Sequence, residues 1–159
     1  MKKEKTCKIV FSDIDGTLLT SDGQITEGTK EMILNLEKKG IPFILTSARS
    51  PEGVRVIKRM LGNHAPIIAF CGGLILDNDG NEIYSKMIPL KRALELKAML
   101  DKDFPAVACN TFGGEKWIVD DRDDWREQRE EKIVGFPAEI GSIKDTFETE
   151  GGIHKFLLM

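Results

Sequence analysis

The chain has 159 residues, of which 41% are apolar and 31% charged, and its net charge is −3. That length and balance suit a soluble globular protein of one domain or a small pair, long enough to bury a real core. No basic stripe stands out, which argues against nucleic acid as a partner, and the apolar run after the basic start, Ile9-Val10-Phe11, is too short for a signal peptide or a membrane span.

The first apolar run is followed by a turn-rich stretch, 18–25, centred on Asp22-Gly23 and expected to be a hairpin. Thr26 is placed to cap a helix with Met32, Ile33 and Leu36 on its buried face; Lys38 and Lys39 suit its last turn, and Gly40 ends it. Ile41-Pro42-Phe43-Ile44-Leu45 reads as a second strand. Ser50-Pro51-Glu52 then reads as N-cap, first-turn proline and acid, opening a helix with the stripe Val54, Ile57 and Leu61 and a stop at Gly62. Ile67-Ile68-Ala69-Phe70 is the third run. Apolar runs without alternation suit strands buried on both faces, so strand–helix repeats here predict an open parallel α/β sheet with right-handed crossovers. A second hairpin is expected over 74–84, around Asn78-Asp79-Gly80-Asn81.

Beyond residue 86 the texture changes. Residues 90–102 read as an amphipathic helix. Ala106-Val107-Ala108-Cys109 and Lys116-Trp117-Ile118-Val119 read as an antiparallel pair joined around Gly113-Gly114. Residues 125–132 suit a polar, exposed helix, 142–150 another, and 153–159 a strand. The expected division is an α/β unit at 1–85 and an α+β unit at 86–159. Cys7, Cys71 and Cys109 are odd in number and widely spaced, which fits reduced thiols in a cytoplasmic protein and resembles no zinc site.

The chemistry concentrates in Asp13-Ile14-Asp15-Gly16-Thr17, directly after the first strand. Residues i and i+2 of an extended segment point to one side, so both carboxylates face one place at the carboxyl end of a parallel strand, where open α/β sheets bind ligands. Gly16 lets the backbone approach an anion, and Thr17 adds an N–H and a hydroxyl. Two acids with amide donors suit a divalent cation and a phosphate, and Mg²⁺ commonly bridges a carboxylate to a phosphate. A strand-to-turn pair of aspartates is the plainer reading, and it accounts less well for Gly and Thr in this order. Asp77-Asn78-Asp79-Gly80-Asn81 has its glycine too early for a calcium loop and reads as a turn. Asp120-Asp121-Arg122-Asp123-Asp124 reads as a solvated loop capping the next helix, and His64 and His154 as isolated residues that need no function.

Asp13 to Thr17 resembles the first motif of the haloacid dehalogenase superfamily. The resemblance implies Asp13 as a nucleophile that becomes an aspartyl-phosphate, and Asp15 as the general acid and base. Splitting one displacement into two is what a carboxylate nucleophile offers. An acid working near neutral pH needs a pKa well above the reference of about 3.9, so Asp15 is expected to be raised. Thr46-Ser47-Ala48-Arg49 resembles the second motif, with Ser47 on the transferring phosphoryl group and Arg49 beside it. Gly72, in Cys71-Gly72-Gly73, falls where relatives with a large α+β cap often have Asn-Gly, so Cys71 is a departure; a plain glycine-rich turn suits it equally. The resemblance implies Mg²⁺ held by Asp13 and the backbone carbonyl of Asp15, phosphate contacts from Gly16, Thr17, Ser47, Arg49 and Gly72, and a flap at 18–25. The insert from 86 onward is similar in position to the cap of the Cof-like subgroup, which acts on sugar phosphates and other small phosphorylated metabolites.

The family's third motif, a Lys, and fourth, Gly-Asp with a further Asp, have no match here. The expectation is therefore the N-terminal part of such a phosphatase: a partial Rossmann-like core with an incomplete cap, weakly active or inactive alone, and prone to self-association through an uncovered sheet edge. A phosphomutase and a non-catalytic phosphate-binding or interaction module remain open.

Overall fold

The computed structural model describes residues 7–159; the first six residues, which hold most of the basic start, lie outside it. In chain order the first half runs β1 (Val10–Ser12), α1 (Glu27–Lys38), β2 (Phe43–Thr46), α2 (Pro51–Leu61), β3 (Ile67–Ala69), β4 (Leu74–Leu76) and β5 (Glu82–Ser85). They form one sheet in the order β1-β2-β3-β4-β5. β1, β2 and β3 are parallel, with Ser12 opposite Leu45 and Thr46 opposite Ile68. β4 and β5 are the expected second hairpin, antiparallel to β3 and to each other. This is the parallel α/β sheet anticipated from the apolar runs.

The helices begin and end where their caps require. The Thr26 side chain accepts the Thr29 N–H at 3.2 Å, and Ser50 accepts that of Gly53 at 3.4 Å. Gly62 closes α2 at φ 68°, a left-handed position that costs glycine little. α2 buries Val54, Ile57 and Leu61 against the sheet, each worth about 1.5–3 kcal/mol on full burial. On α1 only Ile33 is fully buried, while Met32 is 66% exposed. Met32 was expected inside; it lines an open hollow with Ser12, Thr17, Leu18 and Phe43 on the β1 side of the sheet. β1 pairs with β2 alone among the described residues, and Phe11 stays 55% exposed beside that unpaired edge.

The second half runs β6 (Ile88–Pro89), α3 (Leu90–Asp103), β7 (Cys109–Gly113), β8 (Lys116–Val119), α4 (Trp125–Val134), β9 (Glu139–Ile140), α5 (Ile143–Phe147), β10 (Gly152–Ile153) and β11 (Lys155–Leu158). Its main sheet has the order β11-β7-β8-β9, and β6 pairs with β10. The expected β7–β8 hairpin forms, shifted along the chain: residues 106–107 stay outside, and Ala108 joins by exchanging backbone bonds with Met159. One sheet face is covered by Ala93, Ile143 and Phe147 of α3 and α5. The other packs Phe112, Trp117 and Val119 into the same apolar cluster as Phe70 and Leu45 of the first half.

Two further sequence expectations are corrected. The stretch 18–25 forms no strands; it is a tight turn in which Thr20 and Gln24 exchange bonds through the Thr20 N–H and hydroxyl, because Leu18 and Leu19 fold back onto the Ile14 carbonyl. α4 is not simply exposed: Glu127 is 2% exposed, and its carboxylate accepts Asn110 Nδ2–H at 3.0 Å. Burial pushes the Glu127 carboxyl up from its usual range, and its second oxygen has no partner.

Gly113 sits against Phe147, where an added Cβ would lie 2.6 Å from the ring. Phe147 is fully buried, so the ring has nowhere to move. Gly113→Ala is expected to destabilise the chain by about 1–3 kcal/mol, the usual cost of overpacking. Urea denaturation with an unchanged midpoint would remove this account of the interface.

Candidate functional site

β1 ends at Ser12, and the chain alternates immediately after it: Asp13 exposed, Ile14 fully buried, Asp15 exposed. Ile14 is the anchor. Its carbonyl accepts the N–H groups of Leu18 at 3.0 Å and Leu19 at 3.1 Å, which wraps the following turn under the strand end. Gly16 takes φ 74° with open space where a side chain would stand, so its backbone is bare to solvent. Thr17 is exposed beside it.

The second strand brings its own loop to the same end of the sheet. Ser47 is buried; its N–H donates to Ile68 O at 3.0 Å, and its hydroxyl accepts the Arg49 N–H at 3.2 Å. A hydroxyl has one proton and two lone pairs, so the Ser47 proton remains for a ligand. The third strand ends in a short 3-10 turn, Phe70–Gly72, that bonds back to this loop. Cys71 N–H donates to Ser47 O at 2.9 Å, and Phe70 N–H to Arg49 O at 3.0 Å. Phe70 and Cys71 have φ of 50° and 55°, and Gly72 follows at 92°. Left-handed backbone is uncommon outside glycine and persists where the surroundings impose it. Here two main-chain bonds to the loop at 47–49 impose it.

The decisive side-chain contact joins the two motifs. Arg49 donates from Nε to Asp15 Oδ2 at 2.9 Å and from Nη2 to Oδ1 at 2.7 Å. This is a forked pair of parallel bonds, the strongest geometry open to a guanidinium and a carboxylate. It corrects the expectation of a raised Asp15. Hydrogen bonding from Arg49 holds the Asp15 carboxyl below the usual carboxylate range, against a smaller opposing effect of burial. In this arrangement Asp15 is an ionised acceptor.

Among the described residues no group of three or more His, Cys, Asp or Glu is placed to hold a metal ion. The Asp13 carboxylate and the Asp15 carbonyl accept no hydrogen bond there, because the Asp15 clamp uses only its side-chain oxygens. Two unengaged hard oxygens beside solvent fit Mg²⁺, which keeps several waters and bonds few protein groups.

A residue outside both motifs also reaches this place. Lys155, at the start of β11, donates from Nζ to the Ala48 carbonyl at 3.1 Å. Nothing local could have signalled a contact between residues so distant in sequence. His154 likewise is not isolated: its ring stacks on Phe70 at 5.0 Å, Nδ1 accepts the Gly114 N–H at 3.0 Å, and Nε2 lies 3.2 Å from Ser85 Oγ. Of the decoys, Asp77 closes a turn by accepting from Asp79 and Asn81, and Asp124 caps α4 through the Arg126 N–H. Cys109 is buried, which pushes its thiol up to about 11.

A family model described as haloacid dehalogenase-like hydrolase matches residues 10–159. The chain belongs to the haloacid dehalogenase-like hydrolases. Over 124 residues it is 36% identical to a Haemophilus influenzae protein provisionally named a phosphatase, a match covering 72% of this chain and 47% of that one. Over 74 residues it is 38% identical to a phosphoglycolate phosphatase of Thermoplasma volcanium, covering 46% of this chain and 33% of the relative. The chain thus spans less than half the length of these relatives. A haloacid dehalogenase-like hydrolase of Bacteroides thetaiotaomicron has the same fold, with a TM-score of 0.78 at 20% identity, over 89% of this chain and 54% of the other. Within this hydrolase family the present chain has the partial Rossmann-like sheet and an α+β unit after it. No helix of the described residues is long and apolar enough to cross a membrane.

The clamp makes a direct prediction. Arg49→Met is expected to return the Asp15 carboxyl toward its ordinary range, seen as an upward shift of its titration by carboxyl NMR. Because the folded pKa is depressed, the pair stabilises the fold above the unfolded carboxylate pKa of about 3.9 and loses that effect as pH falls through the lower folded value. The Asp15 side chain is 58% exposed, so solvent screening keeps the contribution to about 1 kcal/mol or less. The stability difference between the two proteins should appear near neutral pH and close in acid; a difference that persists in acid refutes the assignment.

Proposed function

We propose that this chain carries the nucleophile end of a phosphomonoester hydrolase that works through an aspartyl-phosphate, with Mg²⁺, on small phosphorylated metabolites, sugar phosphates among them. The observation that carries the reading is the forked bond from Arg49 to Asp15 at the carboxyl end of a parallel strand, where Asp13 and Asp15 are both exposed about buried Ile14. The family and the phosphatase names of its relatives support it.

In this reading an Asp13 oxygen attacks phosphorus, the bond to the leaving oxygen breaks, and that oxygen takes a proton from Asp15. Water then attacks the aspartyl-phosphate, with Asp15 taking the water's proton, and phosphate leaves. The Arg49 clamp shapes when Asp15 can act. A phosphoryl group is a stronger claimant on a guanidinium fork than a single carboxylate. Ligand binding then draws Arg49 off Asp15 and leaves that carboxyl near other negative charge, both of which raise its pKa. Ser47, the Gly16 N–H and the Thr17 hydroxyl offer donors to the phosphoryl oxygens, and Gly72 leaves room beside them. Mg²⁺, held by the Asp13 carboxylate and the Asp15 carbonyl, supplies charge neutralisation when bound.

Residues 86–159 act as the cap that selects the ester. A thin donor set and a clamped acid make turnover by the 159-residue chain weak. The β1 edge, unpaired among the described residues and with Phe11 exposed, invites pairing with a second strand; sizing by light scattering above monomer mass is the expected sign. A non-catalytic phosphate-binding module is the second reading, favoured by the ionised, clamped state of Asp15.

The two readings separate on covalent chemistry. Incubation with p-nitrophenyl phosphate and Mg²⁺ should release nitrophenolate and leave a phosphoryl adduct on Asp13, read by intact mass after an acid quench. Asp13→Asn should remove the adduct and cut turnover by at least about a thousandfold, since an amide does not attack phosphorus. Asp15→Asn should slow turnover severely. Undiminished turnover in Asp13→Asn overturns the proposal, and binding of phosphate with no adduct and no release favours the module.

A further inference from the structure

Lys155 belongs to the half of the chain that supplies none of the proposed catalytic groups, yet its charge is delivered to their loop. Nζ bonds to Ala48 O at 3.1 Å and lies 5.4 Å from the centroid of the Phe112 ring. Ala48 stands between Ser47 and Arg49, the two residues of the second motif.

The electrostatics of this position are incomplete. An ammonium has three donors, and Lys155 spends one on a carbonyl. No carboxylate of the described residues forms an ion pair with it. Arg49, the other cation here, is matched by Asp15. Lys155 is half-buried, and that burial pushes its ammonium below the usual lysine range, with the more distant Glu130 and Cys71 acting the other way. A carbonyl dipole and a ring face compensate a desolvated cation less well than an anion does. A half-buried charge with no carboxylate in contact among the described residues, beside a loop that presents phosphate donors, is completed by negative charge on a ligand.

The geometry points to Lys155 as a specificity-determining residue that binds a second anionic group, a carboxylate or a further phosphate, on the leaving-group side of the phosphate ester. The inference rests on the phosphate-ester reading above and names the substrate class for that site. Asp13, the donors after it, and Arg49 address the phosphoryl group from the first half. Lys155 reaches the same loop from the second half, where the part of the ester extending away from phosphorus must lie.

The test uses two esters that differ by a carboxylate against a methyl group, 2-phosphoglycolate and ethyl phosphate. Each is titrated by calorimetry into the 159-residue chain and its Lys155→Met and Lys155→Arg variants. Methionine keeps an unbranched apolar stem against Phe112, and thermal melts confirm that the variants fold. The wild-type chain should prefer 2-phosphoglycolate. Lys155→Met should lower the ratio of the two affinities by about tenfold, the scale of one charge-assisted contact, and Lys155→Arg should restore most of it. A ratio unchanged in Lys155→Met, or lost equally in Lys155→Arg, overturns the inference. So does a wild-type chain that binds both esters alike, in which case the phosphate-ester reading stands. A wild-type chain that binds neither ester removes that reading and the role of Lys155 together.

Discussion

The main chain of residues 47–49 is tied to the bend at Phe70 and Cys71 by two hydrogen bonds, from Cys71 N–H to Ser47 O and from Phe70 N–H to Arg49 O. They lie just past the ends of β2 and β3 and tie the two loops to each other as they leave the sheet. Ser47, Arg49 and Gly72 owe their common position to this tie. Two non-glycine residues accept left-handed backbone to make it, a conformational cost of order 1–3 kcal/mol each that the surrounding bonds and the burial of Phe70 must offset. The two residues differ in burial: Phe70 faces the core while Cys71 stays exposed.

Arg49 then carries that rigid loop to β1. Its fork on Asp15 is the only side-chain pairing between the two motifs among the described residues, and it sets the charge state of the proposed acid. The guanidinium is 11% exposed while the carboxylate is 58% exposed. The cation is therefore the enclosed member of the pair and the acid the solvent-facing one. An arrangement with that asymmetry can exchange one anion for another without rebuilding the loop.

The two halves meet over aromatic rings. Phe112 lies 6.3 Å from Phe70 and stacks on Trp117 at 5.2 Å, and His154 stacks on Phe70 from the same side. Burial pushes the His154 imidazole below its usual range, which keeps Nδ1 available to accept from the Gly114 N–H and suits a neutral ring against phenyl. Phe70 thus serves both assemblies: its backbone is tied to the loop at 47–49, and its ring packs against the second sheet.

Local periodicity and punctuation sufficed for most elements. Thr26 and Ser50 as caps, Gly62 as a stop, the three apolar strands and the turn at Asp77 follow from short-range chemistry, and each appears where the residues dictate. The pair Asp13 and Asp15 was legible for the same reason, since alternation about Ile14 is a property of five consecutive residues. What the chain alone did not determine depends on contacts between distant segments. Met32 matches the apolar pattern of α1, yet it lines an open hollow and stays 66% exposed. Glu127 reads as surface charge until β7 brings Asn110 to it. The ionisation of Asp15 was anticipated with the wrong sign because a carboxylate's pKa follows its nearest cation, and Arg49 stands 34 residues away. Lys155 stands 107 residues from Ala48. Helical and strand patterns are set by neighbours in sequence, whereas charge, desolvation and counter-ions are set by neighbours in space, and only the tertiary structure decides those.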